Sequence, residues 1–192
     1  MYQKRNNEIV ILSLYSHNYA KQLYLREISR LAKIPLKTTQ NLLSNLEKNG
    51  ILKSAVRGKN KYFWLNLEDI RTKFYLLHSE LYKTLLFLGK YPIFKTFLKS
   101  VRDYKPLIVF GSFAKFTAAK DSDLDLLIIS NKKLKLSSHL LPYKIHEITL
   151  SKNSFLKSLE KKESLIKEIE EHHIILNNHS FYINAIWDHY GK

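Results

Sequence analysis

Asp123 and Asp125, two positions apart, are the side chains of this chain whose type and spacing point most directly to chemistry. They follow Ser122 and open an apolar run that reads as a strand, Asp123 to Ile129. Strand side chains alternate faces, so the two carboxylates are expected on one side. At that spacing they repel each other. A divalent cation between them removes the repulsion, and hard oxygen ligands suit Mg²⁺. Upstream, Gly111 and Ser112 end another apolar run, Leu107 to Phe110. Glycine lets a ligand come close to the main chain. Ser112 adds a hydroxyl at the start of a predicted helix, Phe113 to Lys120, where free N–H groups favour a phosphate. A phosphate cradle beside a pair of metal carboxylates is the equipment of phosphoryl or nucleotidyl transfer.

Several elements must position these residues. Leu107 to Phe110 is short and branched enough for a buried strand. KIHEITL, Lys144 to Leu150, reads as a third strand. Pro92 opens a helix over Ile93 to Val101. Asn153 to Glu171 is an amphipathic helix with Phe155, Leu156, Leu159, Leu165, Ile166 and Ile169 inward. HIILNNHSFYI reads as a hairpin turning at Asn177-Asn178. The Lys-rich connection from Asn131 to Leu136 suits triphosphate, RNA or only water. His172, His173 and His179 lack the spacing of a zinc site.

The order Gly111, Ser112, Ala114, Lys115, Ser122, Asp123, Asp125, Leu126 resembles the signature of the DNA polymerase β nucleotidyltransferase superfamily. It is most similar to the minimal nucleotidyltransferases, whose motif runs Gly-Ser-x-Ala-Lys/Arg-Gly, a spacer, then Ser-Asp-x-Asp-Leu. The resemblance covers Lys90 to Lys192 and departs at Phe116, where that family has glycine. Glycine there ends the helix in a left-handed conformation, which phenylalanine adopts only at a cost.

The resemblance implies transfer of a nucleoside monophosphate from a nucleoside triphosphate, ATP first, to an acceptor hydroxyl. It implies two Mg²⁺ ions at Asp123 and Asp125. One orients the β- and γ-phosphates against Gly111 and Ser112. The other is shared with a third carboxylate on the next strand, a role that falls to Glu147, the one acid of KIHEITL. Ser122 belongs to the nucleotide-binding motif. Lys115 either supports the triphosphate or is a solvated helix residue. The acceptor is a small molecule, a nucleic-acid end or a protein hydroxyl. Some resembling proteins are antitoxins that adenylylate a partner toxin. The alternative is a DNA-binding regulator whose transferase fold is inactive and only binds nucleotide or a partner protein. Phe116 speaks for it.

The first 66 residues read as a separate domain. Helices are predicted over Asn6 to His17, Tyr24 to Leu31 and Leu36 to Asn49, with Lys33-Ile34-Pro35 as the turn. Leu25, Ile28 and Leu31 of the second and Leu42, Leu43 and Leu46 of the third are expected inward. A hairpin follows, with Gly58-Lys59-Asn60 between strands Ile51–Val56 and Lys61–Leu65. This order resembles a winged helix-turn-helix domain, which implies double-stranded DNA as partner. The third helix offers Lys37, Thr39, Gln40, Asn41, Ser44 and Asn45 to bases and phosphates. The wing offers Arg57, Lys59, Asn60 and Lys61.

Residues 67–89 form a linker helix, with Asn66 and Asp69 as a capping box. Its stripe of Ile70, Phe74, Leu77, Leu81, Leu85 and Leu88 is either core or the seam of a homodimer. The transferase domain then takes 90–192. The fold class is therefore α+β: a winged helix-turn-helix, a long linker helix and a polymerase β-like domain with a mixed sheet.

Composition bounds the partners. The net charge is +15, and residues 1–66 alone carry 12 basic against 3 acidic side chains. That favours a polyanion such as nucleic acid, unless every surface is simply lysine-rich. With no cysteine there is no disulfide framework and no thiolate metal site. No leader-like or membrane-length apolar run stands out, so a cytoplasmic location and no membrane are expected.

Overall fold

The computed structural model describes residues 6–101, 105–132, 134 and 136–191. Lys133 and Lys135 of the lysine-rich connection lie outside them. The chain divides into two compact units. One runs to Ser79 and takes in Tyr190; the other is Glu80–His189.

The first unit opens with α1, Asn7–Ser13, capped by Asn6, whose side chain accepts from the Ile9 amide at 3.4 Å. Ile9, Val10, Ile11 and Leu12 of α1 are all buried. A two-residue strand β1, Leu23–Tyr24, precedes α2, Leu25–Ala32, and α3, Leu36–Lys48. Strands β2, Leu52–Arg57, and β3, Asn60–Leu65, form an antiparallel hairpin, and β1 pairs with β3 to give the sheet order β1-β3-β2. Ile28, Leu43 and Leu46 are buried as expected, but Leu31 is 42% exposed. It lies outside the stripe that Ile28 and Ala32 define at helical spacing.

Helix α4, Ile70–Lys90, follows Asp69, whose Oδ1 accepts from the Arg71 amide at 2.9 Å. The expected box with Asn66 does not form: Asn66 N–H donates to Ile51 O at 3.0 Å, its Nδ2 donates to Gly50 O at 2.7 Å, and its Oδ1 accepts from the Glu68 amide at 3.3 Å. The buried face of α4 is Thr72, Leu76, Ser79, Glu80, Lys83, Thr84 and Phe87, not the leucine stripe. No helix among the described residues is long and apolar enough to cross a membrane.

The second unit is α+β around a mixed four-stranded sheet. Helix α5, Ile93–Ser100, leads into β4, Leu107–Phe110, the one-turn helix α6, Gly111–Ala114, and β5, Leu124–Ile129. After a 3₁₀ turn at Ser138–Leu140 come β6, Ile145–Leu150, α7, Lys152–Lys161, α8, Ser164–Glu171, β7, Ile174–Asn177, and α9, His179–Tyr190. The sheet order is β6-β5-β4-β7, with β5–β6 parallel and the other pairs antiparallel.

Two expectations for the C-terminal half are corrected. The helix predicted over Asn153 to Glu171 is two helices, broken at Lys162, whose φ is +53°. The predicted hairpin at Asn177-Asn178 is a strand-to-helix turn, because β7 pairs with β4 and the chain after it enters α9.

One sheet face packs Leu107, Val109, Leu124, Leu126, Ile128, Ile174 and Leu176 with Phe87, Phe94, Phe97 and Phe113. All four residues of β4 are buried, as a short apolar run in a central strand should be. That packing fixes where the chain leaves the sheet at Gly111 and returns to it at Leu124.

Candidate active site

The antiparallel register places Asp125 of β5 opposite Phe110, the last residue of β4. The chain must turn away immediately after Phe110, and Gly111 does so with φ +65°. The Asp125 carboxylate occupies the space above that turn. A Cβ built on Gly111 would overlap Asp125 Oδ2 and lie 3.1 Å from its Cγ. Glycine is therefore required twice here, by backbone angle and by the carboxylate.

The helix after the turn is far shorter than the predicted Phe113 to Lys120. Only Gly111–Ala114 are helical, a single turn. The chain then closes it with a pair of bonds: Thr117 N–H donates to Ser112 O at 3.0 Å and Phe116 N–H to Phe113 O at 3.1 Å. This is the Schellman arrangement, with Phe116 at the left-handed position, φ +59°. The side chain compensates. Its ring lies against Tyr91 at 6.3 Å with an interplanar angle of 18°, and Lys90 Nζ sits 5.4 Å from its centroid.

Replacing Phe116 by glycine should leave the protein about 1 kcal/mol more stable than replacing it by alanine, since both lose the ring and only glycine accepts the angle freely. Urea unfolding of the two variants measures this. An alanine variant as stable as the glycine variant would contradict it.

Asp123 lies just before β5, and Asp125 within it. Each meets a basic side chain, Asp123 the residue just before β6 and Asp125 one within it. Lys144 Nζ is 3.2 Å from Asp123 Oδ2, and His146 Nδ1 is 3.1 Å from Asp125 Oδ1. The Asp123 side chain is 46% exposed and that of Asp125 28%, so both are open to a ligand. Among the described residues no hydrogen bond occupies Asp123 Oδ1 or Asp125 Oδ2.

The register of β6 corrects the role carried to Glu147. In a parallel pair, facing residues share a side of the sheet, and Asp125 faces His146 while Leu126 faces Glu147. Glu147 is thus on the opposite side from the aspartates. There it accepts from Thr149 Oγ1 at 3.3 Å and lines an open cleft of about 540 Å³ with Ser130, Asn131, Lys132 and Thr149. Among the described residues no three His, Asp or Glu side chains gather as a metal site.

The other motif residues are local. Ser122 Oγ accepts from the Ala119 amide at 2.9 Å and closes the loop that delivers Asp123. Lys115 is exposed, 3.7 Å from Glu168 Oε1. The structure thus brings together Gly111, Asp125 and His146, with Asp123 and Lys144 beside them. It does not bring Glu147 to the aspartates. His146 and Lys144 were missed; their alternation with Ile145 was the available signal, since it puts both on one strand face.

In the first unit, Lys37, Gln40, Asn41 and Ser44 of α3 are exposed, as are Arg57, Lys59 and Lys61 of the hairpin. Thr39 is corrected: it is fully buried, and its hydroxyl donates to Ile34 O at 3.2 Å and Pro35 O at 3.1 Å. Thr38 is the exposed threonine of that turn. Lys61 is held 2.7 Å from Glu47 Oε2, and its hydrogen bond, with that of Ser54, keeps the Glu47 carboxyl below its ordinary pKa.

No curated protein and no solved structure matches the chain. Residues 94–181, the stretch holding the Gly111 turn, both aspartates and β6, match the family model described as Polymerase beta, Nucleotidyltransferase, which supports the polymerase β superfamily for this domain.

Proposed function

We propose that the second unit transfers a nucleoside monophosphate from a nucleoside triphosphate, ATP first, to an acceptor hydroxyl. The observation that carries this is the Asp125 carboxylate seated on the Gly111 turn, where any side chain would displace it. Ser112, Ser122 and the amides of the turn are assigned to the phosphates. Lys115 keeps two readings, a phosphate contact or a partner of Glu168.

The donor set fits one Mg²⁺. Such an ion takes one or two carboxylates and completes its octahedron with water and phosphate oxygens. The set does not fit the second ion: His146, not an acid, faces Asp125, and carboxylate and water rather than imidazole suit Mg²⁺. When bound, the ion supplies charge neutralisation at the phosphates. The chain's own part is to hold the carboxylates, through Lys144 and His146, and to bring the triphosphate to the turn. In the reaction the acceptor oxygen bonds to the α-phosphorus. The bond from that phosphorus to the α–β bridging oxygen breaks. Pyrophosphate leaves, and the hydroxyl proton passes to water.

The first unit is proposed to bind double-stranded DNA as a winged helix-turn-helix. The exposed polar side of α3 and the basic hairpin support this, with Thr39 removed from the set. An acceptor on a partner protein, as in an antitoxin-like module, remains within the proposal. A second reading has its own support. The aspartates are already paired with Lys144 and His146, which suits a DNA-binding regulator that senses nucleotide without transferring it.

Incubation of cell lysate with the protein and α-labelled ATP separates the two. The transferase reading expects a labelled acceptor band that is lost in the double variant Asp123→Asn, Asp125→Asn. DNA affinity should be unchanged in that variant and fall steeply with salt. Labelling that survives the double change would remove the mechanism. Nucleotide binding without any labelled product would favour the regulator.

A further inference from the structure

Four residues of the leucine stripe of α4, Ile70, Phe74, Leu81 and Leu85, are exposed, while Leu88 packs against the core of the second unit. At 100° per residue, Ile70, Phe74, Leu77, Leu81, Leu85 and Leu88 fall within about 80° of one another. The buried face of the same helix lies on the other side. Ile70 is 56% exposed, Phe74 65%, Leu81 43% and Leu85 57%, while Leu77 and Leu88 are half-buried. A narrow apolar strip of this kind is the form of a helix–helix seam rather than of a helix lying on a broad core.

We propose that this strip is the interface of a homodimer, α4 packing antiparallel against α4 of a second copy. Three features of the helix select that occupant. Reversing the strip about residue 79 sets Ile70 against Leu88, Phe74 against Leu85 and Leu77 against Leu81, so it is complementary to itself, as a two-fold contact requires.

The basic side chains flanking the strip, Arg71, Lys73 and His78, lie in its N-terminal half. Parallel packing would bring them against their own copies; antiparallel packing sets them beside Tyr82 and Gly89, the uncharged residues that flank the strip in its C-terminal half. The helix dipoles also oppose in that arrangement. The area suffices. With large apolar side chains of roughly 200 Å² each, the exposed share of the strip is on the order of 500 Å² per copy. Complete burial of both strips would cover about 1,000 Å², the lower bound of a specific interface.

The dimer does not depend on the nucleotide chemistry. If the first unit reads DNA, two copies related by a two-fold require two inverted half-sites.

Sedimentation equilibrium of the full chain at physiological salt tests the proposal. The expected mass is twice the 22.7 kDa of the chain. Leu81→Glu with Leu85→Glu, both on exposed positions, should give the single-chain mass with unchanged circular dichroism. A wild-type chain that sediments as a monomer would overturn the proposal, whether or not it captures another protein. So would a double-glutamate variant that stays dimeric.

The absence of native cysteine allows a check of direction. Leu81→Cys, next to the two-fold, should cross-link to itself through a short bis-maleimide. Ile70→Cys, exposed and about 27 Å from its copy along the axis, should not. Cross-linking at both positions would overturn the antiparallel arrangement.

Discussion

Replacing Gly111 by alanine should reduce nucleotidyl transfer by about 100-fold or more, the scale of a 1 Å misplacement at a reacting centre. Two costs meet at this position. Alanine resists φ +65°, and its Cβ would overlap the Asp125 carboxylate. Only the second bears on chemistry, and Gly58 separates them. Gly58 has φ +59°, and a Cβ there would meet nothing within 4 Å. Gly58→Ala should therefore cost about 1 kcal/mol of stability and leave transfer intact. Gly111→Ala should lose transfer even at temperatures where it remains folded. Melting curves and labelled-transfer rates of both variants decide this. Full activity in Gly111→Ala would mean that the carboxylate seat has no part in the reaction.

Lys83→Met should destabilise the second unit by about 3 kcal/mol or more, the cost of stranding a buried charge. Glu80 is fully buried. Lys83 Nζ lies 2.9 Å from its Oε2 and 3.2 Å from its Oε1, and His173 Nε2 lies 3.2 Å from Oε2. His173 in turn donates from Nδ1 to Ile169 O at 2.7 Å, which fixes its ring. Burial by itself would raise the Glu80 carboxyl; Lys83 and His173 together outweigh it and hold the pKa below the ordinary range.

A double variant, Lys83→Met with Glu80→Gln, should recover much of the loss, because no uncompensated charge is left buried. Urea midpoints at pH 7 measure both. A single variant within about 0.5 kcal/mol of wild type would show that the cluster is not held as a unit.

The same cluster sets the acid limit of the fold. A carboxyl held low contributes stability above its unfolded pKa of about 4.3, and that stability is lost as pH falls through the folded value. His179 acts in the same direction from higher pH. Burial lowers its pKa, so the folded chain keeps it neutral while the unfolded chain protonates near pH 6.5. Stability should therefore begin to fall below about pH 6.5 and fall faster near pH 4.

How much of this molecule is legible in its sequence depends on the range of each signal. Leu107 to Phe110 is legible as a buried strand because it is covered on both faces and carries no polar residue. The Gly-Ser and Asp-x-Asp elements are legible because their chemistry is local. Glu147 was misplaced because the register between parallel strands is a long-range fact; a shift of one residue exchanges His146 for Glu147 at Asp125. The break at Lys162 has no signal, since lysine there takes an angle usually reserved for glycine.

Helix α4 carries two stripes of helical period. The apolar one invites a reading as core, while the side covered by the chain is largely hydroxyls and a buried ion cluster. Periodicity identifies a face and not its cover. Thr39 illustrates the same limit on a smaller scale: a threonine that bonds back to Pro35 O satisfies its hydroxyl and can be fully buried.

The central claim is that Asp123 and Asp125, with the Gly111 turn, form one site for a metal–nucleotide. Titration calorimetry with ATP, with and without Mg²⁺, tests it most directly. Binding should require Mg²⁺ and be lost when both aspartates become asparagine, in a variant that melts at the wild-type temperature. Equal ATP affinity with and without Mg²⁺, or in the double variant, would contradict the site itself.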